Sequence, residues 1–183
     1  MEILQMTKDD KKNKQMSIND LDKVVGGAGW MKGTGDDDFL VGGDGDDKIR
    51  GGGGADYIIG GAGDDTLDGG YKDGADDIIV GGEGDDTFIW GLQKDGSDTF
   101  IGGEGNDTIK LDLHFNNESS IQDAFNNGTW DIQLVDSKGN SVEITDDMWS
   151  NGVLTLPPGS SGVITGPDGD ELNFNGVEQI KTF

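Results

Sequence analysis

The sequence predicts an all-β chain in which a middle segment winds as a coil of short strands and the C-terminal segment forms a small β-rich cap. Three observations predict it. A nine-residue unit recurs eight times between residues 33 and 110. Each unit carries one apolar residue in the same phase. The hydrophobic fraction is only 32% over 183 residues, too low for an ordinary packed core of that length.

The units start at 33, 42, 51, 60, 69, 81, 90 and 102, those at 69 and 90 being three residues longer than the rest. The pattern is G-G-x-G-x-D-x-U-x with U apolar, as in GGEGDDTFI (81–89) and GGEGNDTIK (102–110). The sixth position is Asp38, Asp47, Asp56, Asp65, Asp77, Asp86, Asp98 and Asp107; the eighth is Leu40, Ile49, Ile58, Leu67, Ile79, Phe88, Phe100 and Ile109. Glycine tolerates positive φ, so six residues can make a tight turn whose carbonyls point inward. The x-U-x triplet then forms a short strand with its middle side chain inside and its neighbours outside. Two units make one turn of a right-handed coil.

The formal net charge is -24, which argues against nucleic acid or anionic lipid as partner and for cations. The charge is uneven: 1–27 balances to zero, 33–110 carries -15 and 111–183 carries -10. Of the 34 glycines, 23 lie in 33–110. The absence of cysteine excludes disulfides and thiolate zinc sites. No apolar run is long enough to span a bilayer. The single histidine, His114, has no metal-binding or catalytic context, and no nucleophile elbow, phosphate loop, dinucleotide fingerprint or EF-hand loop is present. The expectation is a protein without enzymatic activity.

The repeat resembles the calcium-binding nonapeptide repeat of the RTX (repeats-in-toxin) proteins, over 33–110. That resemblance implies a parallel β-roll with calcium as its cofactor, held between successive turns on one edge by carbonyls of the first four turn residues and side chains at positions five and six. Carbonyls and carboxylates are the hard oxygens calcium takes, while magnesium demands a stricter octahedron. The residues so implied are Gly42, Gly43, Asp44, Gly45, Asp46 and Asp47; Gly60, Gly61, Ala62, Gly63, Asp64 and Asp65; Gly81, Gly82, Glu83, Gly84, Asp85 and Asp86; and Gly102, Gly103, Glu104, Gly105, Asn106 and Asp107. These even-numbered units have intact turns, giving three stacked pairs. The odd-numbered units, with Asp38, Asp56, Asp77 and Asp98, have altered or lengthened turns and are expected to bind more weakly.

Residues 16–27, MSINDLDKVVGG, resemble the double-glycine leader of bacteriocin-type precursors, which implies cleavage after Gly27 by the peptidase domain of a dedicated ABC exporter. The organisation expected is therefore a leader (1–27), a short linker (28–32), the roll (33–110) and a cap (111–183) whose last residues, LNFNGVEQIKTF, are placed like RTX flanks that carry a type I export signal. Within the cap, a helix is expected in 119–127 ending at Gly128, and a hairpin from WDIQLVD through SKGN to SVEITD, with Trp130 and Trp149 in its core. The outward residues of the odd units (Phe39, Val41, Tyr57, Ile59, Ile78, Val80, Thr99 and Ile101) make an apolar face expected to be covered by 111–183, by a second copy in self-association, or by a target surface. The function expected is an exported, extracellular bacterial calcium-binding protein that folds on calcium. The alternatives are a bacteriocin-like toxin or effector and an adhesive or carbohydrate-binding module.

Overall fold

The computed structural model describes residues 30–70, 73–91, 95–111, 121–128, 130–167 and 169–182. The leader expected at 1–27 and His114 lie outside the described residues. The chain runs through β1 (Trp30–Lys32), β2 (Phe39–Asp44), β3 (Lys48–Gly52), β4 (Tyr57–Ala62), β5 (Thr66–Gly70), β6 (Ile78–Glu83), β7 (Thr87–Trp90), β8 (Asp98–Glu104) and β9 (Thr108–Leu111). After α1 (Ile121–Asn126) come β10 (Asp131–Val135), β11 (Ser141–Val142), β12 (Trp149–Ser150), β13 (Val153–Thr165) and β14 (Glu171–Thr182).

The repeats form a parallel β-solenoid of about four turns, a β-roll. β1 and the strands of the even units pair in the order β1-β3-β5-β7-β9, and the strands of the odd units in the order β2-β4-β6-β8. All of these pairings are parallel and keep the eighth positions opposite one another: Leu40 faces Ile58, Ile58 faces Ile79 and Ile79 faces Phe100 on the odd sheet. Ile49, Leu67, Phe88 and Ile109 do the same on the even sheet. All eight are buried, and they form a core one side chain thick on each sheet. Phe88 and Phe100 stack across that core, centroids 5.2 Å apart. Trp30–Lys32, in the stretch assigned to a linker, form β1 and set Met31 on Ile49 as a further rung.

The C-terminal segment closes the roll in a way the repeat pattern did not announce. The first half of β14 pairs parallel to β8, putting Phe174 on Phe100, and its second half pairs parallel to β9, putting Ile180 on Ile109. One strand is thus the last rung of both sheets, with Gly176 (φ 66°) at the bend between them. β13 pairs antiparallel along β14, and β10 pairs with β11 and β13. The helix ending before Gly128 (φ 69°) and the β10–β11 hairpin match expectation. Trp130 is buried at 4%, edge-on to Trp90 of the roll at 5.9 Å, while Trp149 is partly buried against the same core.

The expectation that 111–183 lies along the apolar odd face is not met by the described residues of that segment. β14 is added beyond β8 at the end of the sheet, not laid over it, and Val41 and Ile101 remain 38% and 41% exposed. The face is half-shielded by its own ladder: Phe39 and Tyr57, opposite each other on β2 and β4, stack with rings 2° from parallel and 5.3 Å apart. Successive outward side chains cover one another's flanks, so six of the eight outward residues are half-buried and only Val41 and Ile101 are exposed.

Because the core is one side chain thick, removing one rung should be felt fully. Phe88→Ala is expected to destabilise the folded protein by about 3–5 kcal/mol, read as a lowered urea midpoint in circular dichroism. A change under about 1 kcal/mol would contradict this packing.

Candidate metal centre

The turns between strands stack as regularly as the strands do. At Gly61 (φ 127°) an added Cβ would run into the Gly43 carbonyl of the turn before, so only glycine allows the two backbones to approach this closely. This approach sets the interval at which everything else in the turn repeats.

Two ladders of hydrogen bonds follow, running in opposite directions. At position six, each aspartate after the first on its edge accepts from the backbone N–H of position six in the turn before. On the even edge Asp47 N–H donates to Asp65 Oδ1 (2.7 Å), Asp65 N–H to Asp86 Oδ1 (2.9 Å) and Asp86 N–H to Asp107 Oδ1 (2.9 Å). The odd edge repeats this through Asp38, Asp56, Asp77 and Asp98 at 2.8 to 2.9 Å. At position five the acceptor faces the turn after: Asp64 N–H donates to Asp46 Oδ1, Asp85 N–H to Asp64 Oδ1, and Asn106 N–H to Asp85 Oδ1. On the even edge position six is buried and position five exposed; on the odd edge Asp38 and Ala55 are intermediate.

The second oxygen of each position-six carboxylate distinguishes the edges. On the even edge the Oδ2 atoms of Asp47, Asp65, Asp86 and Asp107 are all buried without a hydrogen-bond partner; among the described odd residues only Asp56 Oδ2 is in that state. Asp38 Oδ2 instead accepts from Thr34 N–H (2.6 Å) and the Thr34 hydroxyl (2.9 Å). A buried, unpaired carboxylate oxygen is costly unless a cation or proton joins it.

Each orphan lies beside a cradle that a Cβ would fill. A methyl on Gly42 would meet the Gly60 carbonyl and Asp47 Oδ2, and one on Gly60 would meet the Gly81 carbonyl and Asp65 Oδ2. At Gly81 the pair is the Gly102 carbonyl with Asp86 Oδ2. A carbonyl from the next turn and an orphan carboxylate oxygen therefore crowd the same side of each even turn. On the odd edge this pairing holds at Gly33 and Gly51 and stops at Gly69, where the three nearest atoms all belong to Asp77. There the lengthened units bring in Asp95, buried at 4% against Gly91, a residue the repeat pattern did not single out. Among the described residues no three carboxylates or histidines converge on one point, so a cation here would depend on backbone carbonyls for much of its shell. Such a donor set, all oxygen and mostly carbonyl, suits calcium.

Burial, opposed by the backbone hydrogen bond and reinforced by neighbouring carboxylates, pushes Asp86 and Asp56 up to about 7 and Asp65 up to about 6. Asp107 and Asp77 rise to about 6 and Asp98 to about 8 for the same primary reason. The turns are thus arranged to hold either protons or a cation.

Residues 32–70, 73–89 and 94–112 match the family model described as RTX calcium-binding nonapeptide repeat (4 copies), to which this segment is therefore similar. No significant match was found among curated proteins or among solved structures. Among the described residues no helix is long and apolar enough to cross a membrane.

The raised carboxylates set a pH dependence. Their folded-state values lie above the ordinary value of 3.8, so between roughly pH 4 and 8 the metal-free folded chain binds more protons than the unfolded one. Its stability is present at the acid side and lost as pH rises through that window. In calcium-free buffer the far-UV β signal is expected to be stronger at pH 5 than at pH 8; the opposite order would contradict the burial of these carboxyls.

Proposed function

We propose that the protein is an exported, non-enzymatic calcium-binding RTX protein whose roll folds when it meets calcium outside the bacterial cell. The observation that carries this reading is the row of buried, partnerless Oδ2 atoms at Asp47, Asp65, Asp86 and Asp107. Calcium would be held by these carboxylates with carbonyls of the turns at 42–45, 60–63, 81–84 and 102–105, and its chemistry there is charge neutralisation and cross-linking of turns. The odd edge would bind more weakly, since Asp38 Oδ2 has protein partners and the turns at 69 and 90 are lengthened, leaving Asp56 as the one odd aspartate with the even-edge arrangement among the described residues.

In the cell, where calcium is scarce, the net charge of -15 over residues 33–110 and the thin core favour an expanded chain suited to a secretion channel. The double-glycine pattern at 16–27 supports passage through an ABC exporter with a peptidase domain, with removal of residues 1–27. Outside, each site stabilises the folded state by RT ln(1 + [Ca]/Kd), about 2.7 kcal/mol at a hundredfold excess over Kd.

Far-UV circular dichroism at neutral pH is expected to show little β structure with a chelator and a strong β signal after calcium addition. An identical strong signal in both conditions would refute the proposal. Replacing Asp65 and Asp86 together by Ala is expected to weaken calcium binding more than replacing Asp77 and Asp98, measured by isothermal titration. The reverse ranking would refute the assignment to the even edge.

A further inference from the structure

We infer that the cap supplies a further calcium site at the end of the even edge, formed by the turn Gly102–Asp107 against Gly176 and Glu178 of β14, so that calcium joins the roll to its cap. This rests on the calcium reading above and adds to the last repeat turn two residues from outside the repeats.

The last even turn has no following repeat, yet it is completed as though it had one. Asp107 N–H donates to Glu178 Oε2 at 2.8 Å, the bond that every earlier position-six N–H makes to the next aspartate. Gln179 N–H donates to the Asp107 carbonyl at 3.0 Å, continuing the series in which Thr66, Thr87 and Thr108 N–H donate to Asp47, Asp65 and Asp86. The cradle is reproduced as well: a methyl on Gly102 would meet the Gly176 carbonyl and Asp107 Oδ2. Asp107 is fully buried and its Oδ2 has no partner. Gly176-Val177-Glu178 is thus a three-residue version of the six-residue turn, with Gly176 in the place of the first glycine and Glu178 in the place of the aspartate.

The odd edge ends differently. β14 sets Leu172 opposite Asp98, and Leu172 is fully buried. One strand therefore closes one edge with a carboxylate and the other with a hydrocarbon, which is what a strand terminating a row of cation sites on only one edge requires. Glu178 also accepts from Gly159 N–H at 3.3 Å through Oε1, tying β13 to the same point. An ion bound there would hold the end turn of the roll to β14, with the β13 bend attached through its N–H to Glu178.

The test compares the full chain with Glu178→Ala and Glu178→Gln by calcium titration calorimetry, with hydrogen exchange of 153–182 followed in the same samples. The glutamine variant keeps an oxygen acceptor for Asp107 N–H while removing the charge, so it tests the site even where the alanine variant fails to fold. Expected is the loss of one bound ion in Glu178→Ala and about tenfold weaker binding at one site in Glu178→Gln, the others unchanged. Calcium should slow exchange in β13 and β14 of the wild type, and in Glu178→Gln a higher calcium concentration should be needed there than in β3, β5 and β7. Equal stoichiometry and affinity in wild type and Glu178→Gln, with equal calcium protection of β14, would overturn the site while leaving the repeat sites intact. A wild type that binds no calcium would overturn the reading on which it rests, and this site with it.

Discussion

Along the even edge Asp65, Asp86 and Asp107 each commit one oxygen to the backbone of the turn before, and with Asp47 they leave the other buried beside like charges of the neighbouring turns. The rest of the structure depends on how that oxygen is satisfied. The glycines bring turns close enough for the ladder to form, and the same closeness concentrates negative charge that only protons or cations relieve. The core contributes one apolar side chain per rung, so the strands cannot outweigh an unrelieved edge. A fold with this composition is therefore conditional on its solvent in a way that an apolar-cored domain of the same length is not.

The roll was legible because two chemically opposite positions, aspartate and an apolar residue, hold phase through eight units, and phase survives the longer turns at 69 and 90. The even edge was legible for the same reason, since its turns are unbroken. The rung made by Met31 was not, because no glycine turn precedes Trp-Met-Lys. Gly176-Val177-Glu178-Gln179-Ile180-Lys181 carries a trace of the unit in its acid-x-apolar-x order, but glutamate stands for aspartate and the turn lacks three residues. Asp95 escaped because it sits inside an insertion, out of phase with the repeat.

The expectation about the odd face failed for a different reason. Counting outward residues in the sequence treats each as isolated, whereas in a parallel ladder identical positions fall on one another. Phe39 on Tyr57 is the clearest case. Shielding between rungs lowers the exposed area without any cover, and this depends on register, which no single strand encodes. The C-terminal segment was then free to do what an unfinished solenoid needs more, which is to occupy the backbone hydrogen-bonding groups of its last turn.

The ladder also shows where the chain keeps count. Successive even aspartates are 18 residues apart from Asp47 to Asp65 and 21 apart from Asp65 to Asp86 and from Asp86 to Asp107, yet their hydrogen bonds stay between 2.7 and 2.9 Å. The three added residues in each of the units at 69 and 90 are absorbed on the odd side without disturbing the opposite edge. The odd ladder keeps its spacing too, at 2.8 to 2.9 Å, so the added residues are taken up within the odd turns without disturbing either row of aspartates. A foreign loop spliced behind Gly70 or Gly91 would be carried on a scaffold whose opposite edge keeps its spacing, which makes the odd flank the natural place to graft new surface onto this protein.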